Sequence, residues 1–73
     1  MDEVAIHGDT IRLGQLLKLS GIAESGADAK ALLLDLAVTV NGEPETRRGR
    51  QLQGGDVVGI GEQTVRVVAH RSD

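Results

Sequence analysis

"IRLGQLLKLSGIAESGADAKALLLDLAVTVNG", residues 11–42, decides the fold, because two helical patterns run through it with no strand between them and end on a turn signal. In the first, Leu13, Leu16 and Leu17 stand at i, i+3 and i+4, the spacing of one apolar helix face. Thr10 is placed to cap this helix, and Ser20 and Gly21 to end it, since glycine readily takes the left-handed conformation after a helix. Ile22 then folds back onto the core. In the second, Ala29, Leu32, Leu33 and Leu36 form an i, i+3, i+4, i+7 stripe. Ser25, followed three residues on by Asp28, has the form of a capping box with Asp in place of Glu. With so few residues between them the helices must pack together, as a hairpin or a near-right-angle pair. Ala29 on the stripe lets their backbones approach.

The flanking segments read as strands. Upstream, "EVAIH" alternates through Val4 and Ile6. Downstream, Val38 and Val40 lead into Asn41-Gly42, a strong hairpin signal because both residues tolerate positive φ. Pro44 makes the returning strand an edge or ends its pairing early. Val57, Val58 and Ile60 follow a glycine turn, and Val65 and Val67 alternate in the last segment. The glycines of "GGDVVGIGEQT" read as hairpin turns, because the stretch lacks the Gly-Lys-Ser/Thr ending of a phosphate loop and opens no helix. The order is β-α-α-β-β-β-β. This is an α+β fold, two packed helices against a small, mostly antiparallel sheet, forming a single domain over residues 1–73.

Composition narrows the function. The chain has no Cys, so disulfides, thiolate metal sites and thiol catalysis are excluded. It has no Phe, Tyr or Trp either, leaving Leu, Val, Ile and Ala to build a small core. His7 and His70 lie at opposite ends of the chain and read as solvated, and the carboxylates are expected on solvated faces. No enzyme active site and no cofactor or metal site is expected. The start "MDEVAIHGD" has no apolar h-region, and no stretch nears the roughly 20 apolar residues of a membrane span. A soluble cytoplasmic protein is the expectation.

Net charge is −3, yet its distribution is uneven. Residues 1–46 hold three basic and eight acidic side chains, and residues 47–73 hold five basic and three acidic. "RRGR" places Arg47, Arg48 and Arg50 within four residues with no carboxylate between them. Like charges repel, so folding alone gives no reason for the cluster, whereas an external anion does. Gly49 lets the loop turn so that the guanidinium groups share one side. Arginine suits phosphate, which its planar fork grips bidentately, and it can stack on bases where no aromatic residue is present.

Taken in order, Arg12-Leu13-x-x-Leu16, Ser25-x-x-x-Ala29-Lys30, Val38-x-Val40-Asn41-Gly42 and Gly55-Asp56-x-Val58 closely resemble the S-four-like RNA-binding domain, whose RNA-binding unit is the αL motif. The likeness spans nearly the whole chain and is greatest to the small stand-alone bacterial members, in which "ETRRGR" recurs. It implies non-catalytic binding of structured RNA, ribosomal or transfer RNA, by a monomer, through a basic face formed by the two helices and the hairpin loop. Carried over residue by residue, it implies that Arg12, Ser25, Lys30, Arg47, Arg48 and Arg50 contact RNA, mainly its phosphates. Open amides near Ser25 to Ala27 at the second helix's start would add a phosphate site. Gly26 departs from the family, where Arg commonly follows the capping Ser, which implies weaker or more selective binding. Leu36 and Ala37 stand where the family's helix usually ends in glycine.

Two other readings share parts of the pattern. The same basic loop could dock an acidic protein partner, for example on a ribonucleoprotein. The β-grasp sulfur carriers also contain Val-Asn-Gly and a Gly-Asp-x-Val hairpin, but their chemistry needs a C-terminal Gly-Gly, and this chain reads "VVAHRSD" there. No membrane or small-molecule substrate is expected.

Overall fold

The leucine spacing at residues 13–17 becomes helix α1 (Leu13–Leu19), with Leu13, Leu16 and Leu17 all buried. The computed structural model describes residues 2–35 and 37–70. Leu36 of the expected stripe, the side chain of His70 and Arg71 lie outside the described residues.

Thr10 does not cap α1. The cap position is Arg12, in extended backbone and without a side-chain cap hydrogen bond. Thr10–Arg12 instead form a short strand, β2, antiparallel to β5 (Gln51–Gln53), with Ile11 opposite Leu52. Helix starts leave amides without partners, and here the facing loop provides them. The Leu13 amide donates to the Arg50 carbonyl at 2.8 Å and the Gly14 amide to the Arg48 carbonyl at 3.0 Å. The helix ends as expected, with Ser20 at the C-cap and Gly21 at φ +83°.

Helix α2 (Gly26–Asp35) starts on a capping box shifted by one residue. The Asp28 amide donates to the Ser25 hydroxyl at 3.2 Å, while the Asp28 carboxylate accepts from the Glu24 amide, rather than that of Ser25, at 3.4 Å. Ala29 and Leu33 are buried and Leu32 is half-buried against the core, so the stripe points inward as its spacing predicts.

The remaining strands are β1 (Asp2–His7), β3 (Val38–Val40), β4 (Glu43–Pro44), β6 (Val57–Ile60) and β7 (Gln63–His70). They form one sheet in the order β1-β7-β6-β3-β4, in which only β1 and β7 run parallel. Alternate residues Val38, Val40, Val58, Ile60, Val65 and Val67 face the core with Ile6 and Leu52. Asn41 (φ +54°) and Gly42 (φ +86°) make the two-residue turn between β3 and β4, and β4 is a two-residue edge strand containing Pro44.

The Asn41 and Asp56 side chains are structural. Asn41 Oδ1 accepts from the Val57 amide at 2.9 Å, its Nδ2 donates to Asp56 Oδ1 at 3.1 Å, and Asp56 Oδ2 accepts from the Gln53 amide at 2.8 Å. Thus the Asn-Gly and Gly-Asp turns are stitched to each other. Not every glycine of "GGDVVGIGEQT" is a turn residue: Gly59 lies within β6, where a Cβ would meet the Thr39 Oγ1 at 2.7 Å. Gly54 is in a turn as expected and is also a close-approach glycine, since a Cβ there would lie 2.8 Å from the Ala69 Cβ.

Candidate nucleic-acid interface

The three clustered arginines do not share one side, and two of them have a countercharge within the fold. Glu45, three residues before Arg48, is 8% exposed, contrary to the expectation that the carboxylates are solvated. Its Oε2 accepts from the Thr46 amide at 3.0 Å, the Arg47 amide at 3.1 Å and Arg47 Nε at 3.2 Å. Its Oε1 accepts from Arg50 Nη1 at 3.0 Å and Arg47 Nη2 at 3.3 Å. The Arg47 side chain, then its backbone amide, then Arg50 hold the Glu45 carboxyl well below the usual range, at about 2. The same pairing raises the pKa of Arg47. Folding therefore does account for part of the cluster: Arg47 and Arg50 gather around a carboxylate that is shielded from solvent.

Arg48 points the other way. Its Nη1 donates to the Gly26 carbonyl at 3.3 Å, crossing from the loop to the first turn of α2. Together with Arg12, Gln15 and Lys18 it lines an open groove between the helices and the loop, whose floor includes Gly14, Gly26 and Ala29. Among the described residues, no carboxylate lines this groove. Among the described residues, Arg12, Lys18, Lys30 and Arg48 form no ion pair. The guanidinium passes close over the start of α2: a Cβ at Gly26 would sit 3.6 Å from Arg48 Nη1, in ordinary contact. Where the resemblance implies an arginine after the capping Ser, the guanidinium present is thus one brought in from the loop.

The expected site residues therefore divide. Arg12 and Arg48 line the groove, and Ser25 adjoins it with its hydroxyl engaged in the α2 cap. Arg47 and Arg50 border a second concavity on the opposite side of Gly49, where Arg47 remains 75% exposed and Arg50 38%. Lys30 lies one helical turn beyond Gly26, exposed, and does not line the groove. Sequence reasoning missed Lys18. The signal was present: Lys18 follows Gly14 by four residues, on the α1 face opposite Leu13, Leu16 and Leu17. Arg66, by contrast, is paired with Glu3 at 3.9 Å across β1 and β7, away from both concavities.

The S4 domain family matches residues 4–68, which cover both helices, the arginine loop and nearly all of the sheet. This chain belongs to the S4 domain family. It is 49% identical over 57 residues to "Probable ribosome maturation protein RlbA" of Bacillus subtilis (strain 168), covering 78% of this chain and 80% of that protein. It is 41% identical over 59 residues to "Putative RNA-binding protein YbcJ" of Escherichia coli (strain K12), covering 81% and 84%. The S4 match takes in every residue of the groove, so the groove belongs to the domain itself and not to an appended segment.

Proposed function

We propose that this S4 domain binds structured RNA, with ribosomal RNA as the principal target, through the groove formed by α1, α2 and the arginine loop, and without catalysis. One observation carries the proposal: Arg12, Lys18 and Arg48 converge on an open groove that, among the described residues, no carboxylate lines, in a chain whose net charge is −3. Such a surface attracts a polyanion locally while the rest of the molecule repels it, which orients the complex. The three cations neutralise phosphates, and Arg48 can do so bidentately. The dipole at the start of α2 adds to this attraction, offset in part by the Asp28 carboxylate in the same turn. Lys30 extends the face along α2, and Arg47 and Arg50 contribute from the far side of Gly49 with their solvent-facing N–H groups. The charge inventory ranks them: Arg48 is unopposed, whereas Arg47 and Arg50 share the Glu45 charge. Family membership supports RNA as the ligand, and the name of the Bacillus subtilis relative supports the ribosome as its setting.

The test is a titration of the purified protein with a ribosomal RNA stem-loop and with a DNA duplex of matched length. Tighter binding to the RNA supports the proposal, because 2′-hydroxyl and shape contacts distinguish the two. Equal affinity for both would leave only general charge attraction. No binding to either would favour an acidic protein as the partner of this face.

A further inference from the structure

The groove depends on a loop that is wrapped around one carboxylate. The Glu45 amide is bonded to the Val38 carbonyl at 2.9 Å, which anchors the residue to β3. Its side chain then grips Arg47 and Arg50 on either side of Arg48 and Gly49. The Arg50 amide closes the turn on the Arg47 carbonyl at 3.3 Å. In the same loop the carbonyls of Arg48 and Arg50 accept from the first amides of α1. The Arg48 side chain reaches the other way, across Gly26, whose carbonyl it bonds at 3.3 Å.

We infer that Glu45 is a positioning residue for RNA binding: by clamping Arg47 and Arg50 it orders the loop so that Arg48 faces the groove beside Arg12 and Lys18. The inference rests on the RNA reading above. It has an unusual sign. A negative charge close to the binding cations weakens phosphate attraction by Coulomb's law, so neutralising it should tighten binding if charge alone matters. If Glu45 holds the loop, neutralising it should weaken binding, because a mobile loop must be ordered each time RNA binds. The Arg47 and Arg50 hydrogen bonds keep the carboxylate ionised far below neutral pH, so the clamp is closed under ordinary conditions.

The experiment compares wild type, Glu45→Gln, Glu45→Asp and Arg48→Gln for affinity to a ribosomal RNA stem-loop over a series of salt concentrations. Glu45→Gln is expected to bind on the order of tenfold more weakly, the loss of one charge-assisted contact. Its salt slope should shrink by roughly 0.7–0.9, one phosphate contact. Amide exchange should quicken at Leu13 and Gly14, whose acceptors are in the loop, and stay slow at Val58 and Val65. Affinity equal to or tighter than wild type, with an undiminished slope, overturns the inference. If Glu45→Gln does not fold, Glu45→Asp decides, since it keeps the charge but withdraws the carboxylate by one methylene: weaker binding supports positioning, wild-type affinity overturns it. A wild type that ignores RNA, or an Arg48→Gln variant that binds normally, overturns the RNA reading and this inference with it. Weakened Arg48→Gln alongside tightened Glu45→Gln overturns this inference alone.

Discussion

The Gly14 amide donates to the Arg48 carbonyl at 3.0 Å, so the residue whose side chain faces the groove also fastens the start of α1 through its backbone. The two roles are separable. Changing the Arg48 side chain leaves the carbonyl in place, and binding can be altered without releasing the helix.

Arg48→Gln should therefore weaken RNA binding by about tenfold or more, the worth of a charge-assisted contact, while leaving the thermal transition nearly unchanged. Arg66→Gln removes the same charge from β7, where it is already paired with Glu3, and should change affinity far less. Parallel titrations of the two variants decide it. Equal losses would mean that overall charge, not the groove, sets affinity.

Salt should act strongly on the complex. With roughly three to five phosphates neutralised, log affinity should fall with log salt at a slope of about −2 to −4. Fluorescence anisotropy across a salt series reads the slope, and a flat response would remove phosphate contacts from the mechanism.

Adjacent leucines in α2 should behave oppositely. Leu33 is 3% exposed and Leu34 71%. Leu33→Ala should cost about 2–5 kcal/mol through lost burial and the cavity left behind, a large fraction of the stability of so small a domain. Leu34→Ala should stay within about 0.5 kcal/mol. Urea unfolding of both variants checks the orientation of the helix, and similar midpoints would show the face to be misassigned.

Gly54→Ala should destabilise by about 1–3 kcal/mol through overpacking, because its new methyl would sit 2.8 Å from the Ala69 Cβ. Ala69→Gly introduced into the same variant should recover part of that loss. A double-mutant cycle in thermal unfolding measures it, and strictly additive effects would contradict the close approach.

Acid should open the clamp around Glu45. Its folded-state pKa is depressed from 4.5 to about 2, so its contribution to stability is complete above the unfolded value and is lost as pH falls between those two points. The stability difference between wild type and Glu45→Gln should thus narrow over that interval and hold steady above it. Urea midpoints measured for both proteins across the acid range test this, and a constant difference would show that the carboxylate titrates normally.

Both helices and the Asn41-Gly42 turn were legible in the sequence because local spacing and backbone preference govern them. The β2–β5 pair was not. Each strand is three residues long with one apolar side chain, Ile11 or Leu52, too short to display a period. The arginine cluster misled for a different reason. Between Arg47 and Arg50 there is no carboxylate, but Glu45 lies just outside, and only the folded hairpin shows that it is shielded and turned back onto them. Lys18 was visible as a charge, yet its place in the groove depends on how the loop crosses the start of α2. The candidate site was therefore legible as a set of cations, but their division into two faces is a tertiary fact.

The parallel pairing of β1 with β7 joins the first described strand to the last, with partners such as Asp2 and Val65 far apart in the chain. β1 has no other neighbour in the sheet, so during synthesis it must wait unpaired while the two helices, which need only local contacts, can already form. Such distant pairing slows folding and leaves a strand edge open to other chains in the interval. Charges on strand edges discourage that kind of intermolecular pairing. The exposed Asp2 and Glu3 that open β1 thus guard a nascent chain as well as a finished one.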